Sequence, residues 1–488
     1  MTQIINLLNQ IIWSKALIYL SLGTGIYFTF SMKFPQVRLI KNMLDHLFAS
    51  DDSAKGVSSF QSFAMALGGR VGTGNIAGVA SAIGFGGPGA VFWMWIIAFL
   101  GAGSAYIESA LAQVYKEEAD GQYRGGPQYY IEKGIGSKPF AILFAISAIA
   151  SVGFFLPGIQ ANSIATAMDS AFGIPPVVSG ITTASTLAII VFGGVKRIGK
   201  TAQILVPFMA IAYIIVAIAI FILNIDKVPE IFSMIIINAF STKAAFGAII
   251  GQAISWGVKR GIYSSEAGLG TGPMAAAAAE VSHPAKQGLV QVFSVYIDTL
   301  FVCSATAFMI LLTGSFNTFF PDGSMLYSNP VLSGAEPSPV YTQLAVDTLM
   351  PGFGSKFVAI ALLFFAFTTL LAYYYYAESN VAYITKKMKN QKNIFNITRI
   401  ILLIMIIIGS VNSASTVWAL GDVGIGIMSW LNLVAIILLT KTGIATLKDY
   451  EEQKAKGLDP VFDPSKLGIK NANLWIEISD VERLPKVN

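Results

Sequence analysis

The chain has 488 residues, of which 54% are apolar and only 12% charged, with a net charge of +5 and a mean hydropathy of +0.65. A soluble globular protein carries about 25% charged residues, so this chain has too few charges to cover a water-facing surface. Lipid is its expected solvent.

A helix crosses a bilayer with about 20 apolar residues, and the chain offers about eleven such segments. In order they are 12–32, 57–85, 88–115, 138–171, 176–194, 199–223, 244–280, 284–314, 341–385, 396–412 and 415–440. The first lacks a basic start and a small-residue cleavage site, so it reads as a span and not a secretory signal. The ninth carries Pro351 and Gly352 and is expected to begin as a short outer helix. The only cysteine, Cys303, excludes an internal disulfide.

The net charge does not point to nucleic acid, because the cations follow the connections. Odd-numbered connections hold Lys33, Arg38, Lys41 and Lys55; Lys116, Arg124, Lys133 and Lys138; Lys196, Arg197 and Lys200; Lys286; and Lys386, Lys387, Lys389, Lys392 and Arg399. Even-numbered ones hold only Lys227 and Lys243, and the tail after Thr440 is again basic. Lys and Arg mark cytoplasmic loops. The expected orientation therefore has the amino terminus outside and the tail, 441–488, inside. The external connection 315–340 has no Lys or Arg and reads as a plain loop. The expected division is a transmembrane domain, 1–440, and a cytoplasmic tail too poor in apolar residues for its own core.

Two segments are interrupted alike. VGTGNIAGVASA begins at Val71 and LGTGPMAAAAAE at Leu269. With the first span (12–32) set aside, ten remain, and these motifs open each group of five (57–223 and 244–440). Paired interruptions at matching places are the sequence pointer to the binding site of an inverted-repeat transporter. An all-α membrane protein with an inverted five-plus-five repeat, two broken helices and one extra span is the expected fold.

Broken helices expose backbone groups that hydrocarbon cannot satisfy. The amino-terminal end of the second half-helix, Gly72 to Asn75, offers N–H groups to a carboxylate. The carboxy-terminal end of the first, Gly68 to Val71, offers carbonyls to a cation. Small residues in membrane helices often serve close packing alone, but packing asks for neither Arg70 nor Asn75 at this depth. In the second interruption Lys259, Arg260 and Glu266 are intramembrane charges, and Glu108, Asp298 and Glu378 are acids available to pair with such cations.

The strings GGRVGTGNIAGVASAIGFGGPGAVFWMW, SAYIESALAQVYK, GGPQYYIEKG, PGIQANSIA and SWGVKRGIYSSEAGLGTGPMAAAAAEVSHPAKQGLVQ resemble the alanine/glycine:cation symporter family of prokaryotes. The resemblance covers nearly the whole chain. It implies a leucine-transporter-like fold and uptake of small neutral amino acids coupled to sodium, sometimes to protons, with serine or glutamine as alternative substrates. It implies that Gly72, Thr73, Gly74 and Asn75 hold the substrate carboxylate and that Gln160 lines the pocket. Trp256 and Gly257 would supply an aromatic wall and carbonyls in the second break. The sodium ligands implied are Gly68, Val71, Phe365, Thr368 and Thr369. Paired threonine hydroxyls and carbonyls suit a small hard cation, although such hydroxyls can also bond their own helix.

Other motifs are decoys. GVKRIGKT from Gly194 matches the phosphate-loop pattern, but it joins two spans instead of following a strand, so no nucleotide is expected. GFGGPG fails similarly. With only His46 and His283 in the chain, a histidine metal site or triad is not expected. An ion channel would call for a repeated pore loop, and a membrane enzyme for clustered His or Asp. A transporter of the plasma membrane explains the paired breaks better than either.

Overall fold

The computed structural model describes residues 2–48, 55–119, 121–240, 247–320, 322–332 and 334–483. Lys243, the start of the seventh segment at 244 and the end of the tail at 484–488 lie outside the described residues. The chain begins with α1 (Thr2–Ile12), α2 (Lys15–Ser31), α3 (Pro35–Arg38) and α4 (Ile40–Leu47). The first interrupted segment follows as α5 (Ser59–Arg70), a π-helical turn at Gly74–Gly78 and α6 (Val79–Gly86). Then come α7 (Gly89–Val114), a hairpin of β1 (Glu117–Ala119) and β2 (Gln122–Arg124), α8 (Pro127–Tyr130), α9 (Lys138–Ala150), α10 (Leu156–Phe172), α11 (Pro176–Val191) and α12 (Gly194–Leu223).

The second half holds α13 (Val228–Phe240), α14 (Gly247–Ser265), α15 (Gly272–Ala277), α16 (Pro284–Val295), α17 (Ser304–Leu312), α18 (Pro339–Asp347), α19 (Gly354–Thr385), α20 (Gln391–Val411) and α21 (Ala414–Leu438). The tail forms α22 (Thr440–Ala455) and α23 (Asn473–Arg483). Among the described residues, eight helical stretches are long and apolar enough to cross a membrane, and some run through two of these helices, as in Gln3–Ser31, Lys138–Phe172 and Pro284–Leu312. The ninth predicted segment does divide, into α18 and α19 on either side of Pro351 and Gly352.

Local chemistry sets the element ends. Ser58 and Gln61 form a reciprocal capping box at the start of α5, satisfying two orphan donors. α10 stops at Gly173, whose φ of +67° suits glycine. Pro284 opens α16 behind a His283 cap whose Nδ1 accepts from the Ala285 N–H. The phosphate-loop look-alike Gly194–Thr201 forms the first turns of α12.

Side-chain exposure separates lipid-facing from interior helices. On α12, Ile204, Phe208, Ile211, Ile215, Ile218 and Ile222 are exposed. Their spacing of three and four puts them on one stripe, which in this chain faces lipid. By contrast, α19 is buried along most of its length and sits beside α5, α10 and α12. The connection 315–340 is more than a plain loop. It carries a short hairpin, Thr318–Phe319 with Met325–Tyr327, and its Thr318 hydroxyl bonds the Ile83 carbonyl at the end of α6.

The cation-rich connections meet at one end of the bundle. Lys55 pairs with Glu118 at 2.6 Å, Lys133 and Lys386 both pair with Glu117, and Arg38 pairs with Glu451 of the tail. The tail closes this end. Trp475 donates to the Gln113 carbonyl at 2.7 Å, the Phe462 N–H bonds the Ser282 carbonyl at 2.9 Å and Lys286 reaches Asp459 at 2.8 Å.

His46 of α4 lies 2.6 Å from the Tyr450 hydroxyl on α22. Burial first, then Lys286 and Lys454, push its pKa down to about 4, against the opposing pull of Asp45 and Asp459. The unfolded chain takes up this proton near pH 6.5. Stability from the neutral imidazole is therefore complete above about 6.5 and is lost as pH falls toward 4. The thermal midpoint in detergent should drop between pH 7 and pH 5, and His46→Gln should flatten that drop. A wild-type midpoint that rises on acidification would contradict this contact.

Candidate functional site

α5 ends at Arg70 because the chain turns away at Val71 and Gly72 before helical geometry resumes. The turn leaves carbonyls at one end and N–H groups at the other. On the carbonyl side, the Thr369 hydroxyl of α19 lies 2.9 Å from the Gly68 oxygen, 3.5 Å from the Val71 oxygen and 3.1 Å from the Phe365 oxygen. The Thr368 hydroxyl also bonds the Phe365 carbonyl, at 2.9 Å. The five residues predicted around a cation thus lie together. Phe365 links both hydroxyls to their own helix, and only Thr369 reaches across to α5.

On the amide side, the Gly72 N–H donates to Asn75 Oδ1 at 2.8 Å and the Thr73 N–H to Gln160 Oε1 at 3.1 Å. Gln160 is delivered by α10 and donates in turn to the Tyr263 hydroxyl at 3.1 Å. The carbonyl oxygens of two amide side chains therefore stand where an anionic oxygen would be received. Gly74 packs against Tyr263; a β-carbon there would lie 2.9 Å from the ring. Gly72, Thr73, Gly74, Asn75 and Gln160 form one buried cluster.

Trp256 and Gly257 are not brought to the second break. α14 continues unbroken to Ser265, and the chain turns only at Glu266 (φ +51°), Gly268 (φ +80°) and Gly270 (φ +88°). The positive φ angles required there suit glycine, which places the break in the EAGLG stretch. Gly257 serves packing, since a β-carbon would come within 2.5 Å of the Ala90 carbonyl oxygen on α7. Trp256 stacks on Phe85 at 4.8 Å and borders an open cleft of about 530 Å³ with Gln252, Phe319 and Glu336. Tyr263, whose ring stands 4.9 Å from that of Trp418, is the aromatic residue of α14 that meets the first break.

The charges find partners that their spacing did not reveal. Arg70 donates to the Ser265 carbonyl at 2.6 Å and to Gln291 at 2.8 Å, and also contacts the Ser294 hydroxyl. It thereby caps the broken end of α14 with a cation, the favoured sign at a helix carboxy terminus. A β-carbon on Gly272 would lie 2.5 Å from the Arg70 guanidinium, so the second Gly-Thr-Gly leaves room for the arginine that precedes the first break. Lys259 and Arg260 both pair with Asp422 of α21, at 2.6 and 2.9 Å, and not with Glu108, Asp298 or Glu378. Glu378 instead pairs with Arg124 and Arg399. Glu108 accepts from the Gly268 N–H and from Asn432.

Asp298 lies in a π-helical stretch, Tyr296–Cys303, beside both breaks. It accepts from Asn75 at 2.7 Å, Ser264 at 2.9 Å and Thr299 at 2.6 Å. Among the described residues no Lys or Arg pairs with it.

The chain is 57% identical over 468 residues to the putative sodium/proton-dependent alanine carrier protein YrbD of Bacillus subtilis, covering 96% of each chain. It is 52% identical to the sodium/proton-dependent alanine carrier protein of Bacillus sp. strain PS3, covering 87% of this chain and 94% of that one. It is 42% identical to the probable sodium/glutamine symporter GlnT of Bacillus subtilis, over 98% and 97%. Among solved structures, a Na+-coupled sialic acid symporter in its substrate-bound outward-open state superposes with a TM-score of 0.53 over 98% of each chain at 13% identity. That likeness establishes the leucine-transporter-like fold class. The model of the sodium:alanine symporter family matches residues 1–464, and the chain belongs to that family.

Proposed function

We infer that this protein is a multi-pass symporter of the plasma membrane that carries alanine, and glycine with it, inward with sodium by alternating access. The observation that carries the reading is the Thr369 hydroxyl lying among the Gly68, Val71 and Phe365 carbonyls, one turn of chain from the amides of Gly72 and Thr73. In this reading Gly68, Val71, Phe365, Thr368 and Thr369 hold sodium. The backbone N–H groups of Gly72, Thr73 and Gly74 receive the substrate carboxylate, which displaces the amide oxygens of Asn75 and Gln160, the side chains that line the same site. Tyr263 against Gly74 limits the side chain that fits. Asp298 is the anionic group available to positively charged cargo.

The repeats proposed are 57–223 and 244–440, with 1–440 as the transport domain and 441–488 as the tail. The orientation proposed has the amino terminus outside and the tail inside. Ion pairs that join the cation-rich connections and the tail at one end support it. One sodium moving inward down 100 mV supplies about 2.3 kcal/mol, before its concentration gradient is added.

Labelled alanine in proteoliposomes tests this reading. An inward sodium gradient should drive accumulation that unlabelled glycine blocks, and choline should not replace sodium. Accumulation driven only by a proton gradient would remove sodium from the cation site. Competition by glutamine alone would change the pocket assignment and keep the carboxylate site.

A further inference from the structure

We propose that a second site, a basic pocket where the tail meets the membrane, binds the headgroup of an anionic phospholipid. The pocket has a volume of about 610 Å³ and lies between the 133–136 turn, the start of α22 and the tail segment 467–471. Lys133, Lys441 and Lys470 line it, together with Asn471 and the backbone of Gly136 and Gly468. It belongs to neither the cation site nor the substrate site.

Its charge is not neutralised from within. Lys133 shares the single carboxylate of Glu117 with Lys386. Among the described residues, Lys441 and Lys470 pair with no acid. The Asn471 side chain donates to the Lys133 carbonyl at 2.9 Å, so the tail supplies one wall.

The position specifies a lipid over a soluble anion. Lys441 stands three residues beyond the end of the apolar helix α21, and Lys138 opens the apolar helix α9. The two helices pack together. Leu143 and Ile146 of α9 are 52% and 55% exposed, and Leu438 of α21 is 62% exposed. Apolar surface for acyl chains therefore continues from the rim of a pocket whose amines suit a phosphodiester. Basic pockets at the cytoplasmic ends of membrane helices recognise anionic headgroups in this way. A phosphate held there would tie the 133–136 turn, α22 and the tail into one unit.

The test titrates phosphatidylglycerol, phosphatidylcholine or inorganic phosphate into the purified full-length protein in neutral detergent and follows the thermal midpoint. Phosphatidylglycerol should raise the midpoint at concentrations where phosphatidylcholine and inorganic phosphate do not. Each lysine near an anionic surface contributes about fivefold in affinity, so Lys441→Gln with Lys470→Gln should weaken the response on the order of thirtyfold. A control pair, Lys387→Gln with Lys389→Gln on an exposed turn, should respond as wild type, and the lipid-free midpoint of each variant reports its folding. Equal responses of wild type and the Lys441/Lys470 variant would overturn the site, as would equal stabilisation by both lipids. A shift reproduced by inorganic phosphate would reassign the pocket to a soluble anion. Sodium-driven uptake in phosphatidylcholine proteoliposomes is a separate readout, so failure here leaves the transport reading intact.

Discussion

Gly72→Ala should abolish alanine uptake while the protein still folds and inserts. A β-carbon at Gly72 would lie 2.3 Å from the Thr369 hydroxyl oxygen and 3.1 Å from Gln160 Oε1. Those are the atoms that join the proposed cation site to the proposed carboxylate site. To relieve the overlap, α19 or α10 must retreat from the break, and both sites open. Overpacking of this kind costs about 1–3 kcal/mol, which a chain with this much buried surface can absorb. The binding geometry cannot absorb it, and uptake should fall by at least about a hundredfold, the equivalent of roughly 3 kcal/mol. Gly78→Ala is the matched control, because the nearest atom to its β-carbon is 3.8 Å away. Near-normal uptake by Gly72→Ala, with surface expression equal to wild type, would rule out the break as the binding site.

Thr369→Ala should raise the sodium concentration needed for half-maximal uptake by roughly tenfold to a hundredfold, the effect of losing one buried polar partner worth about 1–3 kcal/mol. Thr369→Ser keeps the oxygen and should recover most of the affinity. Thr368→Ala should have the smaller effect, because that hydroxyl bonds the Phe365 carbonyl of its own helix at 2.9 Å and the Met209 sulfur at 3.9 Å, and no carbonyl of the first break. Sodium titrations of uptake at saturating alanine separate the three variants. An unchanged sodium requirement in Thr369→Ala would place the cation elsewhere.

The first break was legible because its residues carry the conflict within a few positions. Five glycines weaken the helix between Gly68 and Gly78, and lipid does not tolerate the arginine and asparagine among them without a partner. The second break is legible in its LGTGP motif, but the reading extends it back to Trp256, Lys259 and Arg260, where α14 is unbroken. Lys259 and Arg260 drew attention to the middle of α14, yet a helix carries charges without breaking when an acid faces them, and Asp422 does so from 162 residues away. The break itself needs positive φ, which Gly268 and Gly270 supply. No spacing within one segment could reveal that pairing.

Arg70 is a second case. Its sequence neighbours mark it as costly, but its task, capping α14 at Ser265, depends on how the two breaks cross. The tail reads as too polar for a core of its own. What the reading lacked was its docking, which rests on a few contacts such as Trp475 and Phe462 that sparse apolar content does not signal. The helix α13 in the connection before the second break was likewise not distinguished from loop.

If the two broken ends at Val71–Gly72 hold cation and carboxylate side by side, each must strengthen the other. Linkage requires the two effects to be equal in equilibrium binding. The most direct measurement is alanine binding to the purified protein by calorimetry over a series of sodium concentrations, repeated in choline and with Thr369→Ala. The expected result is an alanine affinity that rises with sodium in wild type, a matching rise of sodium affinity with alanine, and loss of both in Thr369→Ala. Equal alanine affinity in sodium and in choline would contradict the account, because two adjoining sites on one broken helix could not then be the coupled pair.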